Sequence, residues 1–152
     1  MKARNFRTLP HWLLLAAALA LAVRQWAWMP LVIVGNSMRP TLRAGSIVGL
    51  NKLAYRSGPP RRGDVVAVWT GWELIVKRVV GLPGEEIGMT AGGFCVNGSP
   101  LAEPYSQFRG PNDIAPGRLG ADRFVIAGDN RQATLIAVIS RDRIVGRVVT
   151  WR

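Results

Sequence analysis

Residues 65–80 read Val-Val-Ala-Val-Trp-Thr-Gly-Trp-Glu-Leu-Ile-Val-Lys-Arg-Val-Val. Two runs rich in β-branched residues are interrupted here by a glycine, a pattern typical of β-strands with a break between them. Beyond Leu31 the runs that predict strands are 47–48, 65–69, 73–80, 124–127 and 144–151. Loops rich in Gly and Pro are expected at 57–63 and 109–120. The pattern predicts an all-β domain, built as a compact sandwich or a barrel-like sheet.

Composition limits the kinds of site that the chain can hold. One cysteine and one histidine among 152 residues cannot form an intramolecular disulfide or a closed zinc site, which needs about four ligands. We therefore expect neither a metal nor a cofactor. The net charge of +11 indicates either a solvated basic surface or contact with anionic membrane lipids. Because the basic residues are scattered along the chain, nucleic acid is not an expected partner.

The N-terminal region carries three basic residues in its first seven and then becomes apolar. We predict a single transmembrane helix over 9–29, ending at Pro30, with Trp26 and Trp28 at the membrane interface. The basic residues before it favour a cytoplasmic N-terminus. A cleaved secretory signal peptide with its small-residue site at 18–20 is the alternative.

Ser37 and Lys77 are the candidate catalytic residues. A serine hydroxyl needs a neighbouring base to become a nucleophile, and the only histidine, His11, precedes the predicted membrane helix. A Ser-His-Asp triad is thereby excluded. Lysine can act as the base if burial lowers its pKa from about 10.4 toward the working pH. The alternative is an exposed strand lysine and an ordinary turn serine.

The strand pattern around Lys77 predicts which side chains are removed from water. Lys77 shares one face of the strand with Ile75 and Val79, whereas Arg78 points to the opposite face. We therefore expect Lys77 to be desolvated and Arg78 to stay solvated.

The segment 35–42, Gly-Asn-Ser-Met-Arg-Pro-Thr-Leu, resembles the nucleophile box of type I signal peptidases, which are membrane-bound Ser-Lys proteases. Further segments resemble the same family in the same order: 62–66, 75–85, 96–105 and 124–131. The resemblance covers roughly residues 34–147.

This resemblance implies a role for each matching residue. Ser37 is the acylated nucleophile, Lys77 is its general base, and the backbone N–H of Ser37 donates to the oxyanion. The hydroxyl of Thr134 is expected to hold the lysine amine, and Gly128 and Asp129 are expected to support the site.

The sequence departs from the family pattern at two places. Some members carry a serine two residues before the nucleophile as an oxyanion donor, but this chain has Gly35 there, so the second donor is unassigned. The family continues after Gly-Asp-Asn-Arg with Ser-x-Asp-Ser-Arg, whereas residues 134–138 read Thr-Leu-Ile-Ala-Val. Arg131, Arg141 and Asp142 are nearby charges that the sequence does not identify as replacements.

The family also accepts small side chains at the first and third positions before the cut. The residues that could line such pockets are Ile33, Val34, Met38, Leu42, Val48 and Val76. Each of these is explained equally well as part of the core.

The resemblance implies a serine endopeptidase that cleaves N-terminal signal peptides from exported preproteins through an acyl-enzyme. Its expected place is the cell membrane, with the catalytic domain on the extracytoplasmic side. The expected divisions are a basic cytoplasmic segment 1–8, the helix 9–29 and a peptidase domain 30–152. One alternative is a dedicated maturation peptidase for a specialised secretion or conjugation substrate. Another is a catalytically silent, membrane-anchored binding module, which requires Lys77 to be solvated and distant from Ser37.

Overall fold

The computed structural model describes residues 10–106, 110 and 113–150. Its first element is helix α1, His11–Ala27, which is rich in Leu and Ala. The helix expected over 9–29 therefore ends earlier than predicted, because Trp28 already begins a strand. Residue 9 lies outside the described residues. Among those described, no helix has both the length and the apolar character needed to cross a bilayer.

The other regular elements of the described chain are a short 3₁₀ turn at Arg141–Arg143 and strands. In chain order they are β1 Trp28–Val32, β2 Ile47–Asn51, β3 Val65–Trp69, β4 Leu74–Gly81, β5 Glu86–Thr90, β6 Gly93–Val96, β7 Ser99–Pro100, β8 Ile114–Arg118, β9 Arg123–Ala127, β10 Ala137–Ser140 and β11 Ile144–Val149. The five runs predicted from the sequence fall on β2, β3, β4, β9 and β11, although Glu73 precedes β4 and Thr150 follows β11. Residue 151 lies outside the described residues.

These strands form two antiparallel sheets. The larger has the order β1-β2-β11-β3-β4-β9-β10, and the smaller has the order β7-β6-β5-β8. The prediction of an all-β domain is thus confirmed in the form of two sheets. Strand β4 lies inside the larger sheet, where β3 pairs along its length and β9 pairs only from Arg78 onward.

Two segments were assigned wrongly from the sequence. Residues 109–120 were expected to be a loop, but β8 occupies part of this range despite Pro116 and Gly117. Pro30 was expected to end the helix, yet it lies within β1. Both β1 and β8 are edge strands, where proline is tolerated because its missing N–H need not face a partner.

Apolar clusters join these elements and fix the segments around the candidate site. One cluster lies behind the turn that follows β1 and contains Ile33, Met38, Leu42, Val48 and Leu50. A second contains residues of both sheets, including Val80 on β4, Phe94 on β6 and Ala127 on β9. The β4 and β9 backbones are therefore anchored from the side of the smaller sheet as well as by their own pairing.

Candidate active site

Ser37 and Lys77, forty residues apart in sequence, meet in the structure. The Nζ atom of Lys77 donates a hydrogen bond to Oγ of Ser37 over 2.7 Å. Ser37 lies in the turn after β1, and Lys77 lies in the middle of β4. A neutral amine at this distance can instead accept the hydroxyl proton, which is the contact that a serine nucleophile requires from its base.

The surroundings of Lys77 disfavour its charged form. The residue is only 7% exposed, and burial lowers the pKa of its amine, while the charge of Glu73 acts in the opposite direction. The silent binding module required a solvated Lys77 far from Ser37. In the structure Lys77 is buried, and its Nζ atom lies 2.7 Å from Ser37 Oγ, which contradicts both requirements.

The turn that carries Ser37 is held from two sides. Met38 is 2% exposed and packs into the cluster behind the turn, so the next residue along the chain is anchored in the core. On the other side, the backbone N–H of Asn130 donates to the carbonyl oxygen of Ser37 over 2.9 Å. The segment after β9 is thereby attached directly to the backbone of the candidate nucleophile.

Gly128 lies in that segment at a place where no side chain fits. A Cβ atom there would lie 2.2 Å from the Ser37 carbonyl oxygen and 2.4 Å from Oγ1 of Thr134. Thr134 accepts the Gly128 N–H over 2.9 Å and donates to the Leu135 carbonyl over 3.1 Å. Thr134 therefore lies in the site as predicted from the family pattern, but its hydroxyl bonds to the backbone rather than to the Lys77 amine.

Arg78 is buried, so the expectation that it would stay solvated was wrong. It is 8% exposed and forms a two-point ion pair with Asp129, through Nε over 2.7 Å and Nη2 over 2.6 Å. Its guanidinium also lies 4.1 Å from the centre of the Tyr105 ring. Both faces of β4 are covered at this point, because the segment after β9 lies over the face opposite to Lys77.

Arg131 supports the same segment. Its Nη1 donates to the Gly128 carbonyl over 2.7 Å, and its Nη2 forms an ion pair with Glu103. Arg141, in contrast, donates to the Tyr55 carbonyl over 2.7 Å, and Asp142 is exposed. Of the three charges that the sequence left unassigned, only Arg131 thus contacts the Gly128 segment.

A cleft of about 240 Å³ opens beside Ser37 and Lys77. Its walls are the end of β1 with the residues that follow it and the first half of β4: Leu31, Val32, Ile33, Val34, Met38, Glu73, Leu74, Ile75 and Val76. Four of the six predicted pocket residues, Ile33, Val34, Met38 and Val76, belong to this lining. Leu42 and Val48 instead lie in the core cluster behind it.

Among the residues that the structure describes, no strand pairs with either wall of the cleft on the cleft side. Within this part of the chain, β1 is the edge of the larger sheet and pairs only with β2. The β9 partner of β4 begins at Arg78, so residues 74–77 pair with β3 alone. No group of three or more His, Cys, Asp or Glu residues arranged to hold a metal ion occurs within 10–106, 110 and 113–150.

Comparisons with known proteins agree with this arrangement. Residues 6–151 match the family model described as signal peptidase, peptidase S26. The chain is 34% identical to a signal peptidase I of Leptolyngbya laminosa, over 89% of this chain and 73% of that protein. It is 32% identical to signal peptidase I T of Bacillus subtilis, over 88% of this chain and 78% of that protein.

A solved structure supports the fold. A signal peptidase I from Enterococcus faecalis superposes with a TM-score of 0.51 at 20% identity, over 58% of this chain and 95% of that one. Together with the sequence matches, the fold and the juxtaposed serine and lysine lead to one conclusion: the chain belongs to the signal peptidase family, peptidase S26.

Proposed function

We propose that Ser37 and Lys77 are the nucleophile and the general base with which this chain, a signal peptidase I, cleaves signal peptides from exported preproteins. The observation that carries the proposal is the 2.7 Å contact between Ser37 Oγ and the buried amine of Lys77. Burial favours the neutral amine, and only a neutral amine can accept the proton of the hydroxyl.

The reaction has two stages, acylation and deacylation, and in each stage the Lys77 amine accepts one proton and then donates it. Lys77 Nζ takes the proton of Ser37 as Oγ attacks the carbonyl carbon of the scissile peptide bond. The resulting ammonium gives that proton to the leaving amine nitrogen, which departs with the mature protein and leaves an ester on Ser37. Lys77 then deprotonates a water molecule that attacks the ester carbonyl, and return of the proton to Oγ releases the signal peptide as a carboxylic acid.

The Ser37 backbone supplies one donor for the oxyanion. Its N–H makes no hydrogen bond to another described residue, so this N–H is available to the developing negative charge. The Asn130 bond to the Ser37 carbonyl and the close packing on Gly128 support a fixed direction for that N–H. Thr134 and Asp129 act as positioning residues, because they hold this segment through Gly128 and Arg78 respectively.

The cleft fits an extended peptide. A signal peptide can lie extended between the end of β1 and residues 74–77 of β4. Its backbone then forms hydrogen bonds with backbone groups of these two segments that no neighbouring described strand uses. Ile33, Val34 and Val76 line this cleft of about 240 Å³, and a peptide backbone that occupies it leaves room only for small substrate side chains near the cut. Val34 is 91% exposed and is free to contact the peptide directly.

Attachment to the cell membrane is part of the proposal. Several large apolar side chains of α1 are exposed: Trp12, Leu14, Leu15, Leu19 and Leu21. An exposed apolar surface of this kind needs a partner other than water, and lipid provides one. We propose that α1 anchors the chain in the membrane, with residues 1–8 cytoplasmic and the peptidase domain, from β1 onward, on the extracytoplasmic side.

A cleavage assay with the detergent-solubilised full chain tests the proposal. The wild type and Ser37→Ala are incubated with a model preprotein, and the new N-terminus is identified by mass spectrometry. We expect a single cut by the wild type and none by Ser37→Ala, with equal thermal stability of the two proteins. Turnover by Ser37→Ala at the wild-type rate would exclude Ser37 as the nucleophile.

A further inference from the structure

Of the residues that the structure describes, Glu73 is the one acidic residue that lines the cleft. The other lining residues are apolar or belong to the Ser37–Lys77 pair. Glu73 is exposed, and within the described part of the chain its carboxylate has neither an ion pair nor a side-chain hydrogen bond. A negative charge without a partner in an otherwise apolar groove is available to a peptide bound there.

The position of Glu73 is fixed by its backbone. Its carbonyl oxygen accepts the Thr70 N–H over 3.0 Å, and its own N–H donates to the Thr70 hydroxyl over 3.3 Å. It precedes β4 by one residue, and the cleft is lined by the continuous run from Glu73 to Lys77. Its charge reaches Lys77, since it opposes the lowering of the pKa of that amine.

The spacing along β4 indicates which part of the substrate lies beside Glu73. Four residue-to-residue steps separate the Cα atom of Glu73 from that of Lys77, a distance of about 13 Å in extended chain, which an extended peptide also covers with about four residues. Residues after the cut belong to a different mature protein in every client. A cleft that recognises signal peptides therefore holds the residues before the cut, and the fourth and fifth of these lie at the Glu73 end.

We propose that Glu73 is a specificity-determining residue that reads the charge of the signal peptide at the fourth and fifth positions before the cut. Lys or Arg at these positions is favoured, and Asp or Glu is disfavoured. This inference rests on the proposed function, because it assumes that the cleft holds a signal peptide. It adds a charge preference to the preference for small side chains next to the cut.

Three model preproteins that differ only at these two positions provide the test: Ser-Ser, Lys-Lys and Asp-Asp. The measured quantity is the ratio of kcat/KM for Lys-Lys to that for Asp-Asp, with the full chain in detergent. For the wild type we expect a ratio of about fivefold, the size of effect that exposed ion pairs produce. Glu73→Gln is expected to bring the ratio within about twofold of unity, and Glu73→Lys to invert it.

Glu86→Gln is the matched control, because it removes the same charge from an exposed position on β5 of the smaller sheet. It should keep the wild-type ratio. The inference is overturned if the wild type and Glu73→Gln have the same ratio, or if the wild type shows no charge preference. In either case, cleavage of the Ser-Ser preprotein still supports the proposed function. If the wild type cleaves none of the three preproteins, the proposed function fails and the inference fails with it.

Discussion

Arg78 and Asp129 form a buried, two-point ion pair on the face of β4 opposite to Lys77. The pair connects the strand that carries the proposed base to the segment that contacts the Ser37 backbone. Asp129 is fully buried and also accepts a hydrogen bond from the Thr41 hydroxyl, within the turn that contains Ser37. One carboxylate thus links three segments that are distant in sequence, and the two proposed catalytic residues lie on two of them.

Asp129→Asn should destabilise the protein strongly. The substitution keeps the side-chain volume but leaves the guanidinium of Arg78 buried without a counter-charge, which costs about 3–5 kcal/mol of unfolding free energy. Urea unfolding followed by tryptophan fluorescence measures the loss. Asp113→Asn, at an exposed position, is the control and should change the unfolding free energy by less than about 0.5 kcal/mol. A loss below about 1 kcal/mol for Asp129→Asn would contradict a structural role for the pair.

Gly128→Ala should reduce activity with little change in substrate binding. The added Cβ would lie 2.2 Å from the Ser37 carbonyl oxygen, so the backbone that carries the nucleophile must shift from its position beside Lys77. A displacement of about 1 Å in an active site lowers kcat roughly 100-fold. Gly117→Ala is the control, because a Cβ at that position meets nothing within 4 Å. Equal kcat values for the two variants would show that contact with Gly128 does not set the position of Ser37.

Thr134→Val should lower activity by weakening the Gly128 segment. The valine leaves the Gly128 N–H without its acceptor, and an unpaired buried donor costs about 1–3 kcal/mol. Thr134→Ser keeps the hydroxyl and should retain most of the activity. The pH profile separates the two roles of Thr134: a change in kcat alone indicates that it braces the backbone, whereas a shifted acidic limb indicates direct contact with the Lys77 amine.

The pH dependence of kcat/KM should follow the loss of a proton from Lys77. Activity rises with pH because the neutral amine is the base, and burial places this rise below the ordinary range of lysine. Glu73 raises the pKa of Lys77, so Glu73→Gln should move the acidic limb to still lower pH. A shift to higher pH in this variant would contradict the electrostatic relation between the two residues. The charge-preference ratio of preproteins at one pH is unaffected, because both substrates meet the same Lys77.

The sequence pattern predicted the strands that carry uninterrupted β-branched runs, and the resemblance to signal peptidases predicted the pairing of Ser37 with Lys77 that the structure contains. The alternation of side chains between the two faces of β4 correctly predicted that Lys77 is buried, but it wrongly predicted that Arg78 is solvated. The reasoning assumed that one face of the strand is exposed to water. That face is covered by residues after β9, and only tertiary structure brings Asp129 there. A buried arginine requires a carboxylate partner, and nothing in the local pattern around Arg78 indicates one.

Edge strands and long-range backbone contacts were the other features that the sequence did not predict. Pro30 and Pro116 indicated breaks, yet both lie within edge strands that need no N–H from them. The role of Thr134 depends on its bond to Gly128, and that of Arg131 on its bond to the Gly128 carbonyl. These contacts follow from the path of the chain after β9, for which the sequence contains no local signal.

Direct titration of the lysine side chains tests the central claim. The chain has only three lysines, Lys2, Lys52 and Lys77, so NMR of the protein labelled with 13C-lysine gives three Cε signals, and Lys52→Arg and Lys77→Arg assign them. We predict that burial makes the Lys77 amine titrate with a pKa below the ordinary lysine range. A Lys77 signal that titrates within the ordinary lysine range would contradict its assignment as a neutral base.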